Sequence, residues 1–186
     1  MNAASKVMNG VNVEQLMGTI DAIKGNGEIA KFKFKSLTKW IDGGNCQTEI
    51  KDFYGALQND ETRSKSFILE GDEPPVLLGE NKAPNAVEVV LHGLASCLSV
   101  GMVYNAAALG IEMKDLSFSL EGDIDLHGFL GLSEEVRPGY QNIQVKIQAN
   151  TNVPQEKVAE LLDYVKKTSP VLDIIQNPVP VSIELA

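Results

Sequence analysis

This sequence contains a long apolar stretch, Ala83 to Met113, in which Glu88 is the single charge before Glu112, and this stretch limits the folds open to the chain. Asn85 can cap the free backbone N–H groups of a helix that starts here, and Glu88, three residues on, can reach back to the cap. Gly110 can end the helix, because glycine adopts the left-handed conformation at little cost. The pattern predicts a helix over Ala86 to Leu109, about 36 Å long and buried on every side.

A helix of this length could also cross a membrane, so that interpretation has to be tested first. His92, Ser96 and Asn105 lower the hydropathy of the stretch, and no basic cluster flanks either end. Gly93 and Gly101 would let another backbone approach closely. The sequence therefore favours a central helix that packs against sheets, or against its twin in a dimer.

The composition excludes several function classes. The chain has 186 residues, 16 basic and 25 acidic, with a net charge of −9. Phosphate attraction supplies most of the affinity for nucleic acids, so we expect no nucleic-acid partner and no binding to anionic membranes. The N-terminus lacks a basic-then-apolar signal pattern, and we expect a cytoplasmic protein. Two cysteines and two histidines give neither a disulfide framework nor metal-ligand spacing, so we expect no metal and no cofactor.

The order of predicted elements is helix, three strands, long buried helix, two strands, helix, strand. This is an α+β pattern, because strands cluster before and after the central helix without alternating with helices. We expect one domain over residues 1–186, with an accessory N-terminal helix in 1–27 and a core in 28–186. The strands are predicted at Ala30 to Leu37, Cys46 to Tyr54, Ser66 to Glu70, Leu116 to His127, Ile143 to Ile147 and Val179 to Leu185, and the last helix begins at Pro154.

Cys97, at the midpoint of the central helix, is the candidate reactive residue. A cysteine in an apolar helix is usually part of the core, and a reactive thiol needs a cation to stabilise its thiolate. His92 lies about 140° around the helix from Cys97 and cannot serve. Another segment must supply the cation, and the candidates are Arg63, Arg137 and the lysines of the first strand. We interpret His127 as a strand residue without a paired acid.

Several motifs follow one another along the chain. Pro84-Asn85 leads into the long helix, Ala95-Ser96-Cys97 stands at its centre, and Trp40 to Gly44 forms the first hairpin. Ser169-Pro170-Val171 and Asn177 to Val181 complete the pattern, which covers roughly residues 28–186. Together these motifs resemble those of the OsmC family (osmotically inducible protein C), which includes the organic hydroperoxide resistance proteins. The segments Asp72 to Gly79 and Gly122 to Tyr140 are similar to a distinct, OsmC-like branch of this family.

The resemblance implies antiparallel sheets around a long buried central helix, in an interwound homodimer. It also implies a thiol peroxidase in which Cys97 attacks the peroxide and becomes a sulfenic acid, which a second cysteine then resolves. Here Ser169 stands at the position of that second cysteine. The family's arginine from the first hairpin has no counterpart before Arg63, and Glu88 lies one residue from the expected position of its partner glutamate, Val87.

Two functions from different classes remain open. In the first, the chain reduces hydroperoxides through the Cys97 thiolate. Arg63 or a lysine stabilises this thiolate, and Glu88 is the orienting carboxylate. An external thiol or Cys46 then resolves the sulfenic acid. In the second, the fold serves as a dimeric protein that binds a small apolar ligand, and Cys97 is core or a redox sensor. Fold alone does not decide between these two functions, so the surroundings of Cys97 have to be used to distinguish them.

Overall fold

The apolar stretch forms one long helix, α2 (Ala86–Ala108), in the computed structural model, which describes residues 7–185. The predicted capping box is confirmed: the Asn85 backbone N–H donates to Glu88 Oε2, and the Glu88 N–H donates to Asn85 Oδ1, both at 2.9 Å. Gly110 follows the helix at φ +74°, a conformation that favours glycine. Both ends of α2 are therefore set by the local signals that its sequence carries.

One face of α2 is buried within the chain. Leu94, Leu98 and Met102 are 0–3 % exposed, whereas Val100 and Tyr104 are 52 % and 47 % exposed. The prediction that α2 is buried on every side is therefore not confirmed by the single chain. The reason lies in the spacing: residues four apart share one face of a helix, and only that face meets the neighbouring elements.

By length and composition, α2 is also the one helix in residues 7–185 that could cross a membrane, with a mean hydropathy of 1.7. This is weak evidence, because the core helix of a soluble protein meets the same criteria.

The described chain divides into two compact units. The first comprises the residues up to Val13 together with Leu91 onward. Its β8 (Met113–Ile124) and β9 (Tyr140–Thr151) pair antiparallel, and alternate residues such as Phe118 and Val145 pack against the core. That core is formed by Leu94, Leu98, Met102, Ala106, Ile111, Val158, Leu161 and Val165. The remaining elements of this unit are β1 (Val7–Met8), β2 (Val11–Asn12), α3 (Leu126–Phe129), α4 (Gln155–Thr168) and α5 (Pro170–Gln176).

The second unit, Glu14–Val90, is built on small antiparallel sheets. Its three-stranded sheet has the order β3 (Leu37–Asp42), β4 (Asn45–Ile50), β7 (Phe67–Gly71), with Trp40 opposite Cys46 and Cys46 opposite Gly71. The hairpin that joins β3 to β4 turns at Gly43-Gly44, as the sequence predicts. The elements are α1 (Val13–Gly25), β3 (Leu37–Asp42), β4 (Asn45–Ile50), β5 (Phe53–Gly55), β6 (Gln58–Asp60) and β7 (Phe67–Gly71).

The predicted strand at Ala30 to Leu37 does not form. Gly27–Ala30 is a short 3-10 helix, and a single bridge joins Lys33 to Tyr54. Phe32 and Phe34 alternate with lysines as in a strand, but they stack on each other with ring centroids 5.9 Å apart. The alternation of aromatic residues and lysines thus reflects a cluster of aromatic side chains and not a strand paired through backbone hydrogen bonds.

Two further strand predictions are wrong in part. The strand after α2 ends at Ile124, and His127 lies on α3, because the Asp125 side chain accepts the His127 backbone N–H and caps that helix. The segment Val179 to Leu185 joins no strand among the described residues, although its apolar positions alternate. Val181 and Ile183 are 76 % and 91 % exposed, so this segment has no partner within the described chain.

The chain thus has an α+β architecture of five α-helices and small antiparallel sheets within residues 7–185.

Candidate functional site

The structure brings Cys97 and Ser169 into direct contact. Cys97 is the twelfth of the 23 residues of α2, and Ser169 lies between α4 and α5. Cys97 Sγ and Ser169 Oγ are 3.1 Å apart, although 72 positions separate the two residues in the sequence. Ser169 is 5 % exposed, and Cys97 is half-buried.

Local sequence signals hold Ser169 in place. Its side-chain oxygen accepts the backbone N–H of Leu172 at 3.3 Å, which makes it the N-cap of α5. Pro170 follows at the first helical position, where proline is favoured because it has no N–H to leave unpaired. The Ser-Pro pair therefore ends α4, starts α5 and presents a hydroxyl to the sulfur.

Cys97 also opens onto a cavity of about 490 Å³ between α2 and the α4–α5 junction. Its wall is mainly apolar, with Ser96 and Thr168 as further polar side chains. None of the lining residues, all of them within the described range, carries a charge. They are Gly93, Ser96, Cys97, Val100, Gly101, Val165, Thr168, Ser169, Pro170 and Val171.

A close approach of α2 and α4 lies one turn from the sulfur. A Cβ at Gly101 would come within 2.7 Å of Val165 Cγ1, and Val165 is 1 % exposed. Gly101 follows Cys97 by four residues, as Ser169 follows Val165. The glycine therefore sets the spacing at which the two helices meet beside the Cys97–Ser169 contact.

The other predicted site residues lie in the second unit. Arg63 Nη1 donates to the Lys51 carbonyl at 2.6 Å, and its guanidinium lies 5.1 Å from the ring centroids of both Phe53 and Phe67. Glu88 is engaged in the capping box of α2. Their assignment to thiolate stabilisation and orientation stays a prediction.

The second cysteine, Cys46, has different surroundings. It lies on β4, and its sulfur would be 3.0 Å from a Cβ at Gly71, the residue opposite it on β7. Both cysteines are free thiols. Cys46 thus packs against a neighbouring strand, whereas Cys97 meets a hydroxyl and a cavity.

Sequence reasoning missed an acid beside His127. Asp125 Oδ1 lies 2.7 Å from His127 Nδ1, on the exposed surface of the first unit. The His127 backbone N–H, and then its side chain, lower the pKa of the Asp125 carboxyl. An aspartate two residues before a histidine at a helix start was the available signal.

The loop that precedes α2 contains a buried carboxylate, that of Asp72. Asp72 is 4 % exposed, and its carboxylate accepts the backbone N–H groups of Glu73, Glu80 and Lys82 at 2.8, 3.2 and 3.0 Å. The N–H of Lys82, followed by that of Glu73, lowers the pKa of this carboxyl. Asp72 therefore holds together the loop that precedes α2.

Within residues 7–185, no three histidine, cysteine, aspartate or glutamate side chains are grouped as metal ligands would be.

Comparison with known proteins agrees with this architecture. The chain is similar to the structure of an OsmC-like protein from Mycoplasma pneumoniae (16% identity, TM-score 0.61), with 78% of this chain and 89% of that one covered. It is also similar to an organic hydroperoxide resistance protein OsmC, described as a predicted redox protein, from Legionella pneumophila (18% identity, TM-score 0.52, coverage 77% and 90%). A third similar structure is an OsmC-like protein of unknown function from Vibrio cholerae (7% identity, TM-score 0.58, coverage 76% and 92%). These identities support the fold alone.

A search of curated protein sequences gives no match. The protein-family model for OsmC-like proteins matches residues 79–184, more than half of the chain, and this range includes α2, Cys97 and Ser169. The chain therefore belongs to the OsmC-like protein family.

Proposed function

We propose that this chain is a one-cysteine thiol peroxidase that reduces organic hydroperoxides through Cys97. The observation that carries the proposal is the position of the sulfur, which is half-buried, faces a largely apolar cavity of about 490 Å³ and contacts a hydroxyl. The naming of a structural neighbour as an organic hydroperoxide resistance protein is consistent with this activity. An apolar wall beside a nucleophile favours a substrate with a hydrocarbon group.

The reaction transfers two electrons from the sulfur to the peroxide. The Cys97 thiolate attacks the terminal oxygen of the hydroperoxide, an S–O bond forms, and the O–O bond breaks. The alcohol leaves with the proton of the hydroperoxide, and Cys97 becomes a sulfenate. This product is the reversible first stage of cysteine oxidation, so a thiol can restore the enzyme.

We expect that thiol to come from outside the chain. Ser169 occupies the contact position beside Cys97 and cannot form a disulfide. An external thiol would attack the sulfenic sulfur, release water and form a mixed disulfide, and a second thiol would then release reduced Cys97. Cys46 is the alternative resolving thiol, and a Cys46–Cys97 bond found by mass spectrometry after peroxide treatment would favour it over an external thiol.

We also expect the active form to be a homodimer, as the family resemblance implies. Val100 and Tyr104 leave one face of α2 exposed, and the alternating segment at Val179 to Leu185 has no strand partner in the described chain. A second copy could cover the helix face and supply a sheet edge. Light scattering on a size-exclusion column tests this, with Ile183→Lys expected to weaken the dimer and Lys114→Ala as a matched surface control.

The two free thiols are compatible with a reducing compartment, and we expect the protein in the cytoplasm.

Stopped-flow mixing of the reduced protein with cumene hydroperoxide and with hydrogen peroxide tests the proposed activity. We expect fast oxidation with the organic peroxide, slower oxidation with hydrogen peroxide, and loss of both in Cys97→Ser. Cys46→Ser is the matched control, and it should retain the oxidation step even if it changes the return to the thiol. A wild-type protein that is oxidised no faster than Cys97→Ser would contradict the proposal.

One observation favours the second candidate function, a protein that binds a small apolar ligand without turning it over. No residue that lines the cavity carries a charge, so no cation within the lining stabilises a thiolate. In that case a fluorescent probe of apolar sites such as 1-anilinonaphthalene-8-sulfonate would bind wild type and Cys97→Ser equally, and neither would consume peroxide.

A further inference from the structure

We propose that the Ser169 hydroxyl is a catalytic residue that donates its hydrogen bond to the Cys97 thiolate. This inference rests on the peroxidase function proposed above. Ser169 has no thiol and cannot resolve a sulfenic acid, so the hydrogen bond would be its contribution to the reaction. The 3.1 Å distance between Ser169 Oγ and Cys97 Sγ is direct contact. Ser169 thus touches the reacting atom.

The direction of this hydrogen bond follows from the ionisation of Cys97, and the other contact that Ser169 makes leaves its O–H able to donate. A hydroxyl has one hydrogen to donate and two lone pairs that accept. One lone pair of Ser169 Oγ receives the Leu172 backbone N–H at 3.3 Å. A thiolate has no hydrogen and can only accept, so in the ionised state the remaining O–H of Ser169 must donate to the sulfur.

The surroundings make this donor effective. Ser169 is 5 % exposed, so water has little access to its hydroxyl. Hydrogen bonds to a charged atom are stronger where the local dielectric constant is low, and the cavity wall is mainly apolar. Because the cap of α5 holds the hydroxyl in place before ionisation, little reorganisation is needed when the charge appears.

The same hydrogen bond would act before and after the peroxide step. Before it, the O–H donates to the Cys97 thiolate that attacks the peroxide. During the step the sulfur loses two electrons to the O–O bond, and Ser169 exchanges no atom. Afterwards the O–H can donate to the sulfenate and lengthen its life until an external thiol arrives.

The test measures thiol ionisation without peroxide, in a Cys46→Ser background where Cys97 is the only thiol. The rate of alkylation by iodoacetamide is followed from about pH 5 to pH 9, because the thiolate alone reacts. Ser169→Ala should react about tenfold more slowly at neutral pH, with its rate profile displaced by about one pH unit to higher pH, as expected for losing one hydrogen bond to a charged atom. Ser169→Thr keeps the hydroxyl and should restore most of the rate.

Ser133→Ala is the matched control. The Ser133 hydroxyl also accepts a backbone N–H, that of Glu135 at 3.2 Å, but it does not line the cavity. Its loss should leave the alkylation profile unchanged. Ser169→Asp is a second variant in case Ser169→Ala does not fold, since aspartate is a good N-cap whose carboxylate cannot donate. It should react more slowly than wild type.

The outcomes separate this inference from the proposed function. If Ser169→Ala or Ser169→Asp is alkylated at the wild-type rate over the whole pH range, the donor role is wrong, even if the wild type consumes peroxide. If the profile is displaced as expected but the wild type does not react with peroxide, the hydrogen bond stands and the peroxidase function fails. Dimedone labelling after peroxide gives an independent readout, and we expect the sulfenic acid of Ser169→Ala to decay faster than that of the wild type.

Discussion

Asp72 and Ser169 are the two buried polar residues among those described, and they differ in their hydrogen-bond partners. The Asp72 carboxylate accepts three backbone N–H groups, all within ten residues along the chain. Ser169 accepts one N–H three residues on and contacts a sulfur 72 residues away. A buried polar group that the local backbone satisfies stabilises a loop, whereas one that also reaches a distant thiol can take part in chemistry.

This difference predicts where substitutions affect stability and where they affect reactivity. Asp72 has three backbone N–H groups as partners, which would be left without their acceptor if the carboxylate were removed. Ser169 shares its hydroxyl between the cap of α5 and Cys97, so its substitution alters a helix end and the sulfur together.

Ser169→Cys should convert the contact into a covalent bond. Because Ser169 Oγ already lies 3.1 Å from Cys97 Sγ, a second sulfur at this position should form an intramolecular disulfide once peroxide has oxidised Cys97. Mass spectrometry of peroxide-treated protein should find essentially complete 97–169 linkage, compared with none in the wild type. Two free thiols at these positions after treatment would show that the contact does not persist in solution.

Asp72→Ala should destabilise the protein without changing the alkylation of Cys97. It leaves three backbone N–H groups without their acceptor, and we expect the melting temperature to fall by roughly 5 °C. Circular dichroism measures the melting temperature, and limited proteolysis would report whether cleavage is confined to residues 73–82. Asp125→Ala is the control: Asp125 also caps through its side chain, but it is partly exposed, so its loss should have a smaller effect.

The Asp72 carboxylate should also make stability depend on pH in the acid range. Backbone N–H groups, first that of Lys82 and then that of Glu73, lower its pKa in the folded protein below the ordinary value of an aspartate. Its contribution to stability is therefore fully present above that value and is lost as the pH falls through the lower pKa of the folded state. Asp72→Asn cannot titrate, so urea unfolding should show a shallower loss of stability below about pH 4 than in the wild type. Equal slopes in the two proteins would argue against this carboxylate as a source of acid sensitivity.

The sequence predicted those features that depend on neighbouring residues. The reciprocal bonds between Asn85 and Glu88, the left-handed Gly110 and the hairpin turn at Gly43-Gly44 are all decided within a few positions. Each rests on a strong local preference of capping residues or glycine. The α+β class followed from the order of such elements.

Features that depend on distant partners were predicted less well. The Phe32 and Phe34 alternation did not reveal that Phe53 would join them in an aromatic cluster, with ring centroids 6.1 and 5.4 Å away. The alternation at Val179 to Leu185 did not reveal that the described chain offers this segment no strand. A strand needs a partner, and sequence periodicity does not say where that partner lies.

The candidate site shows the same limit. Cys97 stands out by its place at the midpoint of the central helix, but Ser169 could be singled out only through resemblance to a family, because no local pattern joins positions 72 residues apart. The resemblance singled out Ser169 because a second thiol is absent at that position. The structure shows in addition that the Ser169 hydroxyl is held in place by its contacts with Leu172 and Cys97.

The absent side chain of Gly101 has a consequence for how variation at this site can arise. Because Gly101 and Val165 meet one helical turn away from the Cys97 sulfur and the Ser169 hydroxyl, the distance between those two groups depends on a position that has no polar side chain. A larger residue at 101 would push α2 and α4 apart. It would lengthen the distance between the hydroxyl and the sulfur while every polar group of the site stayed in place. Sequences that keep both Cys97 and Ser169 could therefore still differ in reactivity, according to the size of this one neighbour.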